Sequence, residues 1–388
     1  MRADTISTTL SPSQGDMGLS DRIQLYEKVE KIRGKPLIAY ITSTRYNAPG
    51  QIGQDTISEL LTQLQTLPRD TTDLDLLLVS NGGDGTVAWR VVSLIRERVK
   101  KFSILIPHSA FSAATLIALG ANEIVMHPHG NLGPTDPQVT NPLKGIQFGT
   151  EDLQAFLRFA REQVGLTRQE PLRDVFLKFS EEVGFVSVGT AARSTQLSAT
   201  IGEKMLLMHM TKKAEKQKAR TISHSLNTKY FHHGYPLSRT EAKEIGLSVA
   251  KPDIAVEDLM WSIWKDLEAE LCLREAFVPL DLVKDNPNCR ALFGPNPQPV
   301  PTTEYEYTAA LMESIRHGSR FRVAGRIFAS PLPNLEIKIQ MAPEKIGWVD
   351  VALPVPAPAP TPEAADTSPL TPVPDPAPAP GPTGPGTS

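Results

Sequence analysis

Three groups of residues along this chain have the types and spacing to do chemistry. The first is Ser80-Asn81-Gly82-Gly83-Asp84-Gly85-Thr86-Val87-Ala88, a glycine turn between an apolar run and a helical period. It contains G-x-G-x-x-A, the skeleton of a dinucleotide-binding turn. That fingerprint also asks for an acid at the end of the next strand, to hold a ribose hydroxyl. The next apolar run ends Ile106-Pro107-His108-Ser109, without one, so no nucleotide cofactor is expected. Glycine also lets the main chain approach a ligand closely, so the same turn can offer N–H groups to a developing oxyanion. A purely structural turn would use the same residues.

The second group centres on Ser112, in Pro107-His108-Ser109-Ala110-Phe111-Ser112-Ala113-Ala114-Thr115. Ser112 stands where a strand hands over to a helix. Its hydroxyl would lie at the positive end of the helix dipole, with the N–H of Ala113 aimed at the same place. Small neighbours leave room for a substrate backbone. The flanking glycines of the G-x-S-x-G elbow are absent, and a serine here also serves as a plain helix N-cap.

The third group is a scatter of basic side chains. His127-Pro128-His129 with Asp136 offers two imidazoles and a carboxylate, a set that suits zinc. The His-Pro-His loop lacks the helical i, i+4 pairing of zinc proteases, and no metal is expected. Lys144, His232 and His233 are each candidates for a general base and equally for surface residues.

The elements that would carry these groups alternate between strand and helix. Apolar runs at 36–42, 74–79, 103–106 and 123–126 have strand length, and helical periods at 55–67, 86–99 and 112–120 separate them. Strands this apolar argue for a parallel sheet covered on both faces, an α/β fold. From 151 to 210 the pattern is mostly helical. A basic stretch follows from Thr211 to Arg220, read as a solvated helix end. Ser238 to Val249 reads as a capped helix ending at Gly246 and leading into a strand, and 256–270 as a further helix. After residue 300 the pattern turns to β, with strands expected at 320–329, 335–341 and 348–353.

Composition sets the outer bounds. The 388 residues carry 40 basic and 43 acidic side chains, a net charge of −3, so no global positive field is available to hold nucleic acid. Cys272 and Cys289 stand far from any histidine cluster and make neither a disulfide framework nor a cysteine zinc site. The first 20 residues lack an export pattern, and no apolar run is long enough to span a membrane. A cytoplasmic protein is expected. Thirteen of the 34 prolines fall after residue 353, which marks 353–388 as a low-complexity tail unable to bury enough surface to order.

In their order along the chain these segments resemble the serine dehydrogenase proteinase family, prokaryotic serine peptidases of the Clp/crotonase fold, similar to signal peptide peptidase A. The glycine turn, Ser112, the run Ala118 to Met126, the run Leu132-Gly133-Pro134-Thr135-Asp136-Pro137-Gln138 and the segment His233 to Val249 carry the resemblance. It implies a Clp/crotonase-like βαβ spiral core at 21–252 with a helical extension. A C-terminal helix and small β module at 253–352 and disordered ends at 1–20 and 353–388 complete the division.

The resemblance further implies acyl transfer. Ser112 would be the nucleophile, with Gly82 or Gly83 and Ala113 lending the oxyanion hole. The Clp subunit keeps its histidine on the strand after the nucleophile helix, and the comparable stretch here, Gly133 to Asp136, has none. Lys144 lies where the lysine of a Ser-Lys dyad would fall, which makes it the first candidate base. His233 is the second, because its segment resembles the one that carries the acid of the Clp triad. Peptide or protein substrates and a homo-oligomer follow from the same likeness, while the basic stretch Thr211 to Arg220 is what could meet an acidic membrane surface or a partner. Ala113 and Ala114 replace the glycines that relatives have after the nucleophile, so a weakly active scaffold or binding module stays open. So does an acyl-CoA enzyme using the glycine turn.

Overall fold

Each apolar run of the first half becomes a strand with almost no solvent-facing side, and each helical period becomes a helix laid across it. The computed structural model describes residues 18–353 apart from 142, 143, 231 and 335. The expectations for a disordered start and Pro-rich tail fall outside the described residues, save that Leu19 already opens a helix. In chain order the first half runs α1 (Leu19–Arg33), β1 (Leu37–Thr42), α2 (Thr56–Thr66), β2 (Asp73–Val79), α3 (Gly85–Arg98) and β3 (Lys101–Ile106). After the short β4 (Ser109–Ala110) come α4 (Ala113–Leu119) and β5 (Glu123–Met126).

β1, β2, β3 and β5 pair in parallel in that order. Their side chains alternate between two cores, as a strand period of two requires. Ile38, Tyr40, Leu76, Leu78, Ile104 and Ile106 face α2, α3 and α4. Leu37, Ala39, Ile41, Leu77, Val79 and Leu105 face the opposite way, toward α1 and a later helix. Burial on both faces is what makes these strands near-continuous apolar runs.

Short strands β6 (Asn131–Leu132), β7 (Gln138–Thr140) and β8 (Gln147–Gly149) lead into the helical extension. This comprises α5 (Thr150–Glu162), α6 (Gln169–Val183), α7 (Phe185–Leu207) and α8 (Lys213–Thr228). α7 and α8 return to the first core through Ile201, Met205, Ala219, Ile222 and Leu226. α9 (Arg239–Glu244) begins with a capping box, Ser238 accepting from the Glu241 N–H while Glu241 accepts from that of Ser238. β9 (Val249–Ala250) then joins β5 in parallel, and α10 (Ile254–Glu270) closes the second core with Met260, Ile263, Trp264 and Leu267.

The C-terminal strands do not stand apart as a module. After α11 (Pro279–Asp285) and a 3₁₀ turn (Pro287–Phe293), β10 (Thr303–Glu313) pairs antiparallel with β1. β11 (Gly318–Pro331) and β12 (Ile337–Val351) extend the same sheet to eight strands, in the order β12-β11-β10-β1-β2-β3-β5-β9. The sheet is therefore mixed, parallel in its centre with an antiparallel wing. The two strands expected at 335–341 and 348–353 are one. Pro343 lies opposite Gly325 where the β11–β12 register shifts, so the ladder absorbs the proline as a bulge.

A buried ion network fastens the wing to the start of the chain. Glu313 of β10, fully buried, accepts from Arg22 Nε at 2.7 Å, Arg320 Nη2 at 2.6 Å and the Tyr26 hydroxyl at 2.5 Å. Arg22 also pairs with Asp266 and Glu270 of α10. Burial alone would push the Glu313 carboxyl up, yet the two guanidiniums hold it below the usual range.

Candidate active site

The glycine turn and Ser112 meet because β2 and β3 are neighbours and the chain leaves both at the same end. The Ser80 carbonyl accepts from Phe111 N–H at 2.9 Å and Ser80 donates its own N–H to Ser109 O at 3.0 Å, which ties the two exits together. The contact is tight. A Cβ at Gly82, whose φ is +108°, would lie 2.7 Å from Ser112 Cβ and 2.8 Å from Phe111 O. A Cβ at Gly83 would lie 2.3 Å from Ile52 O. Only glycine admits both approaches.

Ser112 does not act as a helix cap. Its side chain makes no capping hydrogen bond, and its backbone sits at φ 52°, ψ −116°. That conformation is costly for a residue with a Cβ and persists only where the surroundings over-determine it. Here Ala114 N–H bonds Phe111 O, Leu116 N–H bonds Ser112 O, and Thr115 Oγ1 bonds Ala110 O and Gly133 O. The Ser112 hydroxyl has no partner among the described residues and opens on a cleft of about 480 Å³.

Of the three N–H groups expected around an oxyanion, two are free to act. Gly82 donates to Ser80 Oγ at 3.0 Å and is thereby engaged. The N–H groups of Gly83 and Ala113 meet no acceptor among the described residues, and both residues line the cleft.

The candidate bases part company. His233 lines the cleft with Ser112. Its Nδ1–H donates to Asp136 Oδ1 at 3.0 Å, and Gln138 Nε2 donates to the other carboxylate oxygen at 2.9 Å. A carboxylate can only accept, so the neutral ring bears its proton on Nδ1 and has its lone pair on Nε2. The Asp136 hydrogen bond raises the His233 pKa above the ordinary histidine value, against the opposing pull of burial. Asp136 is itself fixed by its neighbour Thr135, whose N–H bonds Leu226 O and whose carbonyl accepts from Ser198 Oγ. Lys144 is not brought to the cleft. It is exposed, and its Nζ pairs with Glu182 at 3.0 Å; a lysine base needs an apolar enclosure. His232 is exposed as well.

The metal set weighed from the sequence is not gathered. The His127 ring stacks on Trp261 and its Nδ1 accepts the His129 N–H, while Asp136 is committed to His233. A different group, buried Glu59 with His317 and exposed Asp350, brings ligand-type atoms within 4.8 Å of one another. It lies by the β10–β11 turn, where His317 Nε2 is 3.2 Å from Glu59 and 3.4 Å from Asp350.

The hydrogen bond between Asp136 and His233 is not among the expectations from the sequence.

Comparison with known proteins bears on this arrangement. Residues 50–147 match the model of the ClpP-like SDH-type serine proteinases. Two uncharacterized proteins of Methanocaldococcus jannaschii, MJ1495 and MJ0137, are each 26% identical, over 59% and 49% of this chain. The matches span 71% of the first relative and 58% of the second. Among solved structures, a mutant of the 1510-N membrane-bound stomatin-specific protease is 18% identical, covering 57% of this chain and 82% of that one, at a TM-score of 0.35. ClpP1 from Listeria monocytogenes is 13% identical, covering 59% and 97%, at 0.30. The matched segment carries the glycine turn, Ser112 and Asp136, and in it the chain is similar to the ClpP-like SDH-type serine proteinases.

Proposed function

We propose that the protein is a serine peptidase in which Ser112 is the nucleophile, His233 the general base and Asp136 the residue that orients it. The Ser112 Oγ–H proton passes to His233 Nε2 as Oγ attacks the peptide carbonyl carbon. The carbonyl oxygen becomes an oxyanion held by the N–H groups of Gly83 and Ala113. His233 then hands its proton to the departing amine, and water repeats the sequence to release the acyl group. Asp136 stabilises the imidazolium and fixes the tautomer, the part an acid plays in a serine triad. Relative to the Clp subunit, acid and histidine would have exchanged segments.

One observation carries this reading: the uncapped Ser112 at φ 52°, held in a conformation that a structural serine has no reason to adopt. A Ser-Lys dyad would require Lys144 to leave Glu182 and cross to the cleft. The test is labelling with a fluorophosphonate, on the full chain and on four variants. Labelling should vanish in Ser112→Ala, fall steeply in His233→Ala and Asp136→Asn, and persist in Lys144→Ala. Loss in Lys144→Ala with retention in His233→Ala would reverse the choice of base, and no labelling of the folded protein would move it to the scaffold class.

Peptides or proteins are the substrates this mechanism suits. The homo-oligomer implied by the family has apolar side chains to use on the extension, where Phe156, Phe159, Phe185 and Val186 are exposed. No helix among the described residues is long and apolar enough to cross a membrane. A cytoplasmic enzyme meeting the membrane only at its surface fits the reading.

A further inference from the structure

Away from the Ser112 cleft, three separate elements bring metal-ligand atoms to one point. Glu59 comes from α2, His317 from the turn between β10 and β11, and Asp350 from the end of β12. An imidazole nitrogen and one oxygen of each carboxylate lie within 4.8 Å of one another. His317 Nε2 is 3.2 Å from Glu59 Oε1 and 3.4 Å from Asp350 Oδ1. Zinc bonds of about 2.0–2.1 Å in a tetrahedron set neighbouring ligand atoms about 3.3 Å apart. Both spacings around the imidazole match that edge.

The frame that carries these atoms is fixed from several sides. Gln63, one helical turn after Glu59, donates from Nε2 to Met312 O at 3.3 Å and His317 O at 3.0 Å. The Ser314 N–H bonds His317 O at 2.8 Å, and Asp350 stands opposite Ser319 in the β11–β12 ladder. Arg316, the nearest cation along the turn, is held by Glu30 at 2.7 Å. The three polar groups do not satisfy one another. An imidazole nitrogen carries at most one hydrogen, and that of His317 Nε2 goes to Glu59. Asp350 accepts no hydrogen bond among the described residues, and neither carboxylate pairs there with a lysine or arginine. Two negative charges therefore converge on one nitrogen with a single proton between them. The point is also open to solvent: the side chains of Glu59 and His317 are 10% and 19% exposed, and that of Asp350 82%.

We infer that Glu59, His317 and Asp350 bind one divalent transition-metal ion, zinc foremost, with water in the fourth position. One imidazole and two carboxylates suit zinc, whereas calcium takes six to eight oxygens and magnesium an octahedron of them. The ion takes the place of the Nε2 proton, which leaves to solvent, and neutralises both carboxylates at once. Asp350, on an exposed side chain, turns to close the third edge. The ion acts as a clip, fastening β12, the outermost strand of the sheet, to α2. No residue of the Ser112 cleft takes part, so the inference stands apart from the peptidase reading.

Zinc binding to the full-length protein, stripped with a chelator and desalted, tests it by equilibrium dialysis and by thermal unfolding. One ion should bind per chain. Zinc at one hundred times its Kd should shift the folding equilibrium about 100-fold and raise Tm by about 4 °C. Asp350→Asn and His317→Gln should each weaken binding by about 100-fold or more, since removing a group that merely supports a ligand already costs about 10- to 100-fold. Both should also abolish the gain in Tm. Asp350 is exposed, so its variant folds without the ion and keeps the test decisive even where Glu59→Gln does not fold. His129→Gln, in the His-Pro-His loop, should leave the affinity as it is. No binding of zinc, binding that survives both Asp350→Asn and His317→Gln, or binding that His129→Gln removes would overturn the assignment.

Discussion

Replacing Asp136 by asparagine keeps the shape of the site and removes one charge. With Nδ1 and Oδ1 3.0 Å apart, the charge centres of an Asp136–imidazolium pair lie about 4 Å apart, worth about 4 kcal/mol at an effective dielectric constant of about 20. The side chains are 36% and 16% exposed, so solvent screening cuts this to about 2 kcal/mol. That loss alone slows nucleophile activation about 30-fold. The asparagine amide can also donate to Nδ1 and so move the ring proton to Nε2, where it faces the serine; in serine triads that error costs up to about 10⁴-fold. The second-order rate of fluorophosphonate labelling should therefore fall by a factor between these bounds. The pH dependence moves too. Asp136 raises the His233 pKa above its ordinary value, so the wild-type base becomes neutral only as pH rises through a value above about 6.5. In Asp136→Asn that acid limb should shift to lower pH. An unchanged rate with an unchanged limb would refute the pairing as a functional unit.

Other consequences are open to direct measurement. Gly82→Ala adds a methyl 2.7 Å from Ser112 Cβ at a φ of +108°, so overpacking and backbone strain together should cost about 2–5 kcal/mol in urea unfolding and abolish labelling. Wild-type stability in that variant would mean the turn yields freely. Glu313→Gln breaks a buried network that holds Arg22 and Arg320 and should cost about 3–5 kcal/mol, seen as a lower Tm. Burial holds His108 and His127 below the ordinary histidine pKa, so the stability that rests on their staying neutral is full above about 6.5 and is lost as pH falls through their folded values. Tm should drop on that acid side, and His127→Gln should flatten the slope; an unaltered slope would count against it. His233 has the opposite sign: its contribution is present below about 6.5 and lost as pH rises through its raised folded value.

What could be read from the sequence was whatever depends on neighbours in the chain. The parallel core was legible because strands buried on both faces leave continuous apolar runs, and the Ser112 handover because a strand end and a small-residue helix adjoin there. Helix α1 was not. Its buried face is Arg22, Tyr26 and Val29, and an arginine reads as solvated until Glu313, 291 residues away, is known to meet it. The pairing of His233 with Asp136 was hidden for a related reason: 97 positions separate them. Only the return of α7 and α8 to the core brings the loop after α8 beside the Thr135–Asp136 segment. Lys144 has the place in the sequence of a dyad lysine, a measure blind to the fact that Glu182 of α6 meets it at the surface. β10 leaves a usable trace, the alternation Glu304-Tyr305-Glu306-Tyr307, whereas β12 reads as two strands because Pro343 and its neighbours look like a turn until Gly325 stands opposite.

The antiparallel wing also sets a schedule for folding. β1 precedes the other strands of the sheet in synthesis, and its partners on either side are β2, which follows closely, and β10, which begins only at Thr303. Until about three hundred residues have been made, β1 presents a bare row of peptide groups flanked by mostly apolar side chains, a template for pairing with the wrong strand. Arg22 waits equally long for Glu313. Closing that distance demands a large ordering of chain before any reward in contacts, so the last step should be slow. A nascent chain halted before residue 303 would then be a natural client for chaperones, and a stop codon there would be more damaging than its distance from Ser112 suggests.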